Sequence, residues 1–213
     1  MNLNNSSFSL RDYVSFVFPG SMLLLIYFYY DIESWEFLRE QPVLLGFTFL
    51  IVGYFLGYAS NSVGSKFYSK LYYKFVESPF KGLLVNCSNF GFDKVFAESV
   101  RSRISKYFGT ESNSWEQETL LYICWRDIQC YEHQGLDYMF RLVSLTNLCA
   151  SMVFPLSLFS IVAVVEKYYM FACIGVICLV VFHLSRCGLR DEFARGVYRI
   201  WYVLDVSREK KSA

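Results

Sequence analysis

Four stretches of this chain, residues 13–30, 43–65, 142–165 and 168–185, contain no Lys, Arg, Asp or Glu. A helix crosses the hydrocarbon core of a bilayer in about 20 residues, and a chain in lipid must satisfy its backbone internally. These stretches therefore predict four transmembrane helices. Four buried core helices of a soluble protein are the alternative, but residues 43–65 show no polar face until their end. Of the 213 residues, 54% are hydrophobic and 20% aromatic, too apolar for an ordinary soluble domain of this size. The fold class expected is an all-α membrane protein.

The first stretch does not read as a secretory signal, since Tyr27, Phe28, Tyr29 and Tyr30 follow its apolar core where a small-residue cleavage site would lie. The net charge of +1 is uninformative, but its distribution is not. The connection 31–42 carries Asp31, Glu33, Glu36 and Glu40 against Arg39, whereas residues 66–141 and 186–211 hold nearly all the lysines and arginines. The positive-inside rule places both termini and the middle segment in the cytoplasm. Tyr27, Tyr29, Tyr30, Trp35, Tyr168 and Tyr169 would mark the outer interface, and Tyr68, Tyr72 and Tyr73 the inner one. The expected organisation is a transmembrane hairpin (1–65), a helical cytoplasmic insert (66–141), a second hairpin (142–185) and a basic amphipathic tail (186–213).

The insert begins with Lys66, Lys70 and Lys74 interleaved with aromatics, a pattern for a helix leaving along the headgroup surface until Ser78-Pro79 stops it. Residues 80–92 read as a loop. A helix is expected from Asp93, its N-cap, to Phe108, with Phe96, Val100, Ile104 and Phe108 on one face and Gly109 as the C′ residue. Arg101, Arg103 and Lys106 decorate its other faces, either as a solvated surface or as a docking site for an acidic or anionic partner. Ser114 and Gln117 fit a capping box for a helix through Tyr131. Only Gly135, costing about 1 kcal/mol in a helix interior, separates it from the third span, so the two are expected to be continuous or nearly so. In the tail, Leu189, Phe193, Val197, Ile200 and Leu204 follow spacings of four, four, three and four. That seam serves packing on the chain's own cytoplasmic part, the membrane surface or contact between subunits.

Little here supports catalysis. The sequence has no Walker A, HExxH or GxSxG motif, and its spans hold no carboxylate. Cys130-x-x-His133 lacks a second ligand pair, and the seven cysteines are scattered, so no metal, cofactor or disulfide is expected. His183, near the inner end of the fourth span, is expected to hydrogen-bond there. The chain does not read as an enzyme. What remains are two small or polar stripes. Gly53-x-x-x-Gly57-x-x-x-Asn61 permits close helix packing with an amide beside it. Ser144, Asn147 and Ser151 share a face of the third span, with Pro155 beyond them. Both stripes serve either packing within the chain or, when copies meet, the lining of a wet path or gate.

The run "RDYVSFVFPGSMLLL", with Pro19-Gly20 inside the first span, leads to an acidic loop and then to "GYFLGYASNSVGS" entering a cytoplasmic insert. Together with the last hairpin and the basic tail, this layout resembles the small four-span membrane subunits of bacterial antiphage defence operons. Those of the Hailong and Kiwa systems, and the membrane accessory proteins of some CRISPR systems, are such subunits. The resemblance implies a homo-oligomer, often a tetramer, in the bacterial inner membrane. A Hailong-like subunit would be an ion-conducting effector released by a cytoplasmic nucleotidyltransferase, with an oligonucleotide acting indirectly as trigger. A Kiwa-like subunit would be a sensor that recruits a DNA-binding effector. Two functions follow as expectations, a gated pore that depolarises the membrane and a non-conducting scaffold; a lipid-interacting structural protein is a third.

Overall fold

A computed structural model of the chain describes residues 10–68, 84, 93–108, 117–130 and 135–212, apart from the side chains of 10–14, 117–118 and 211–212. The expected surface helix beyond Tyr68 with its stop at Pro79, the loop 80–92 apart from Leu84, Gly109, Ser114, Tyr131 and His133 lie outside the described residues. All regular structure among the described residues is helical. The helices are α1 (Leu10–Tyr30), α2 (Ile32–Arg39), α3 (Pro42–Phe67), α4 (Lys94–Phe108), α5 (Gln117–Cys130), α6 (Leu136–Val165) and α7 (Tyr169–Ser212).

Three of these, α3, α6 and α7, are long and apolar enough to cross a membrane, as a membrane protein requires. Their windows are only 17%, 39% and 17% buried, so α3 and α7 present most of their apolar surface outward while α6 is the most enclosed. The first stretch stands differently. Its described part passes the same test only jointly with α2, from which it is bent by 114°. The acidic connection is thus largely helical rather than open loop. Asp31 starts α2: its carboxylate accepts from the Ser34 amide at 3.2 Å, the Ser34 hydroxyl at 2.7 Å and the Tyr27 hydroxyl at 2.6 Å. The Tyr27 bond, then the two from Ser34, hold that carboxyl below its usual range. Pro42 opens α3, where its missing N–H costs nothing.

The chain divides into two compact units. The first comprises Met1–Tyr72 and Ser144–Cys187, and the second Tyr73–Val143 and Gly188–Ala213. In the first, α1 packs along α3. The turn between α6 and α7 has a definite chemistry. Lys167 adopts φ 62°, while its amide donates to Val164 and that of Tyr168 donates to Ala163. That pair of bonds is a Schellman motif, with lysine at the left-handed position that glycine usually fills.

The second unit has its own core. Val100 and Ile104 of α4, Leu121, Cys124 and Ile128 of α5, Met139 of α6, and Val197, Tyr198 and Trp201 of α7 are buried together. Asp93 caps α4 by accepting from the Phe96 amide at 2.9 Å. Two expectations are corrected. Gly135 lies in a turn, and α6 starts only at Leu136, so α5 and α6 are separate helices. Conversely, the tail is not an element of its own: α7 runs unbroken for 44 residues through the expected boundary at Arg186. Gly188 does not interrupt it, because its face is open and nothing has to approach there.

Candidate functional site: the small and polar seams of the apolar helices

The buried residues of α3 are Gly53, Gly57, Ser60 and Gly64, at spacings of four, three and four. This stripe begins as the sequence indicated and then turns one residue away from Asn61. The helical period explains the shift. Two successive steps of four residues drift off a straight face, whereas a step of three restores it.

Each small residue of the stripe meets backbone. A Cβ on Gly57 would overlap the carbonyl of Phe16 in α1, and one on Gly20 of α1 would overlap the carbonyl of Gly53. Gly53 is less tight, with Ser21 Oγ 3.2 Å from where its Cβ would stand. Further along, a Cβ on Gly64 would overlap the carbonyl of Ala150 in α6. Beside these contacts Ser60 donates its hydroxyl to the carbonyl of Ser151 at 2.6 Å, and Ser15 donates to the carbonyl of Ser144 at 3.0 Å. Phe16 closes the α1–α3 seam edge-on against Tyr54 and Tyr58, with ring centroids 5.6 and 5.8 Å away. The α6–α7 pair repeats the device, since a Cβ on Gly175 would overlap the hydroxyl of Ser160.

The third-span stripe divides accordingly. Ser144 and Ser151 are buried within the chain, and the Ser151 hydroxyl donates to the Asn147 carbonyl at 2.7 Å. Asn147 is only half-buried, and its side-chain amide makes no hydrogen bond to another described residue. Asn61 is also half-buried, its Oδ1 accepting from Ser65 at a long 3.5 Å. Two amides on apolar helices thus keep hydrogen-bonding capacity that no described residue fills.

At the end of α3, Tyr68 forms a contact that the sequence signalled only through His183. The Tyr68 hydroxyl lies 3.1 Å from His183 Nδ1, and the two rings are nearly parallel at 5.5 Å. The guanidinium of Arg186 stands 3.7 Å over the Tyr68 ring, burying a cation on an aromatic face. Arg186 and His183 are three residues apart on α7, so one helix face brings both to a single tyrosine.

In the second unit Arg101, Arg103 and Lys106 of α4 have partners within the chain. Arg101 donates to the carbonyl of Leu84. Arg103 reaches Asp205 at 2.8 Å and Glu209 at 3.0 Å, and Lys106 reaches Glu209 at 2.7 Å. An acidic partner docking there would compete with these pairs. The tail seam also faces inward: Val197 is buried, and Leu189, Phe193, Ile200 and Leu204 pack on the same core. Asp127 ties α5 to α7, accepting from Trp201 Nε1 at 3.0 Å and from Arg208 at 2.9 Å. Sequence reasoning missed Gly20, Ser15, Ser60, Gly64 and Asp127. A pairwise alignment of small positions on α1 and α3 could have flagged the glycines, since each sits where two backbones meet.

No protein-family model matches the chain, and no curated protein or solved structure matches it significantly.

Proposed function

We propose that the protein is a homo-oligomeric membrane effector, set in the bacterial inner membrane by four spans with both termini in the cytoplasm. In this reading α1 is the first span and the charged α2 lies outside the membrane. The cytoplasmic unit responds to a protein partner, and the membrane unit opens a weakly selective path in antiphage defence. The observation that carries it is the pair of half-buried amides at Asn61 and Asn147, whose N–H groups meet no acceptor among the described residues. An amide on a membrane helix needs a partner, and another copy of the chain or a hydrated path between copies supplies one. With no charged ring at that depth, selectivity would rest on radius and amide dipoles rather than field.

Recording from the purified protein in planar bilayers, with and without its partner, tests this. Conductance that falls at least several-fold in Asn61→Leu or Asn147→Leu, with assembly intact, supports the pore. Silence under all partner and ligand conditions rejects it.

A non-conducting sensor or scaffold is the second reading, and a specific observation favours it. Gly57, Gly64, Ser60, Ser144 and Ser151 are all engaged in packing within the chain, so most of the small and polar surface is unavailable to a path. Under that reading the two asparagines bind only another subunit, and their leucine variants change the oligomer rather than any current.

A further inference from the structure

Helices α1 and α6 and the start of α7 line an open cavity of ≈ 400 Å³ in the first unit, bordered by Leu25, Tyr29, Phe159, Val162, Glu166 and Tyr168 among others. That volume falls within the range of small-molecule sites. Its composition is lopsided. The body is built of aliphatic and aromatic side chains, and the one carboxylate is Glu166, at the end of α6 where the Schellman turn begins. Tyr29 and Tyr168 line the same cavity, as phenols do at a membrane interface. Lys167, next in the chain, is exposed at the left-handed turn position. No ion pair to Glu166 or Lys167 is formed among the described residues.

We infer that this cavity holds an acyl chain of a zwitterionic phospholipid with a primary ammonium headgroup, the ammonium on the Glu166 carboxylate and the phosphate toward Lys167. The apolar body has no use for water, and in a bilayer the molecule at hand to fill it is a lipid tail. The polar end then chooses among headgroups. An anionic head without an amine would set its charge against Glu166, whereas an ethanolamine head offers a donor to the carboxylate and aligns its opposite charge with the adjacent lysine. The phenols add aromatic faces that accept an ammonium. The inference rests on the membrane location proposed above. Release of the protein from membranes by detergent, and not by high salt or alkaline carbonate, checks that location separately.

The test is native mass spectrometry of the purified full-length chain, exchanged into nanodiscs holding equal amounts of phosphatidylethanolamine and phosphatidylglycerol before gentle release. The wild type is expected to retain phosphatidylethanolamine about tenfold over phosphatidylglycerol, a difference the size of one favourable ionic contact. Glu166→Gln, a change at an exposed position, should bring the ratio near one. Leu25→Trp, which fills the cavity from an exposed site, should lower retention of both lipids; Met22→Trp plugs it from a second position if the first variant does not assemble. Equal retention of the two lipids by the wild type, an undiminished preference in Glu166→Gln, or full retention in the plugged variant would overturn the assignment.

Discussion

The hydroxyl of Ser60 donates to the backbone carbonyl of Ser151 over 2.6 Å, fully buried and across 91 positions of sequence. This single bond ties the middle of the α3 stripe to α6, beside the close approach of Gly64 to the Ala150 carbonyl. Ser60→Ala should destabilise the protein by only about 0.6–1 kcal/mol, since the carbonyl keeps its own helical bond. Thermal unfolding in detergent, followed by circular dichroism, would register a drop of a few degrees.

The glycines should be far less forgiving. Gly57→Val and Gly64→Val each drive a side chain into another helix's backbone, and overpacking of that kind costs at least about 1–3 kcal/mol. Gly46, which faces open space, is the internal control: Gly46→Ala should leave stability unchanged or slightly raised. Size-exclusion profiles and unfolding midpoints of the three variants decide the matter, and equal behaviour of Gly46 and Gly57 variants would contradict the close-packed seam.

Lys167 occupies a left-handed conformation that disfavours a residue with a Cβ. Lys167→Gly is expected to stabilise the α6–α7 hairpin by up to about 1 kcal/mol, visible as a raised unfolding midpoint.

Acid should loosen the second unit through Glu209. Hydrogen bonds from Lys106 and then Arg103, with the charges of both, hold its carboxyl below the ordinary range. A carboxylate depressed in this way contributes stability above its unfolded pKa and loses it as pH falls through the lower, folded value. Thermal stability should therefore decline below roughly pH 4, and less steeply in Glu209→Gln. Because these groups are exposed, 1 M salt should flatten the same profile.

Cysteine reactivity offers a chemical check on the second unit. Burial, and secondarily the charge of Asp127, pushes the Cys124 thiol far up, whereas Cys130 is exposed. Maleimide labelling at pH 7.5 followed by peptide mapping should modify Cys130 in the native protein and reach Cys124 only after denaturation.

How much of this was legible in the sequence depends on whether the signal was local. Uncharged length located α3 and α6 to within a few residues at most of their ends, because the cost of a charge in lipid acts residue by residue. Asp93 declared its cap for the same reason. Ser60 was passed over for Asn61 because a strict spacing of four ignores helical drift, which only a packed neighbour makes visible. Asp127 looked like any surface acid, since its partners Trp201 and Arg208 lie more than 70 positions away. Gly135 and Gly188 invert the usual reading of glycine. The first stands just before a helix, its carbonyl accepting from the Met139 amide of α6, and the second is absorbed by one.

The unbroken course of α7 has a quantitative consequence. Beyond Cys187 roughly 25 residues remain in the helix, an arm of about 37 Å at 1.5 Å per residue. Over that length of about seven turns, Val197 and Trp201 enter the core of the second unit while Asp205, Arg208 and Glu209 reach Arg103, Lys106 and Asp127 on α4 and α5. The far stretch of α7 is thus held by side chains from two other helices along its whole length, and removing either of those helices would leave it without the contacts that fix its course.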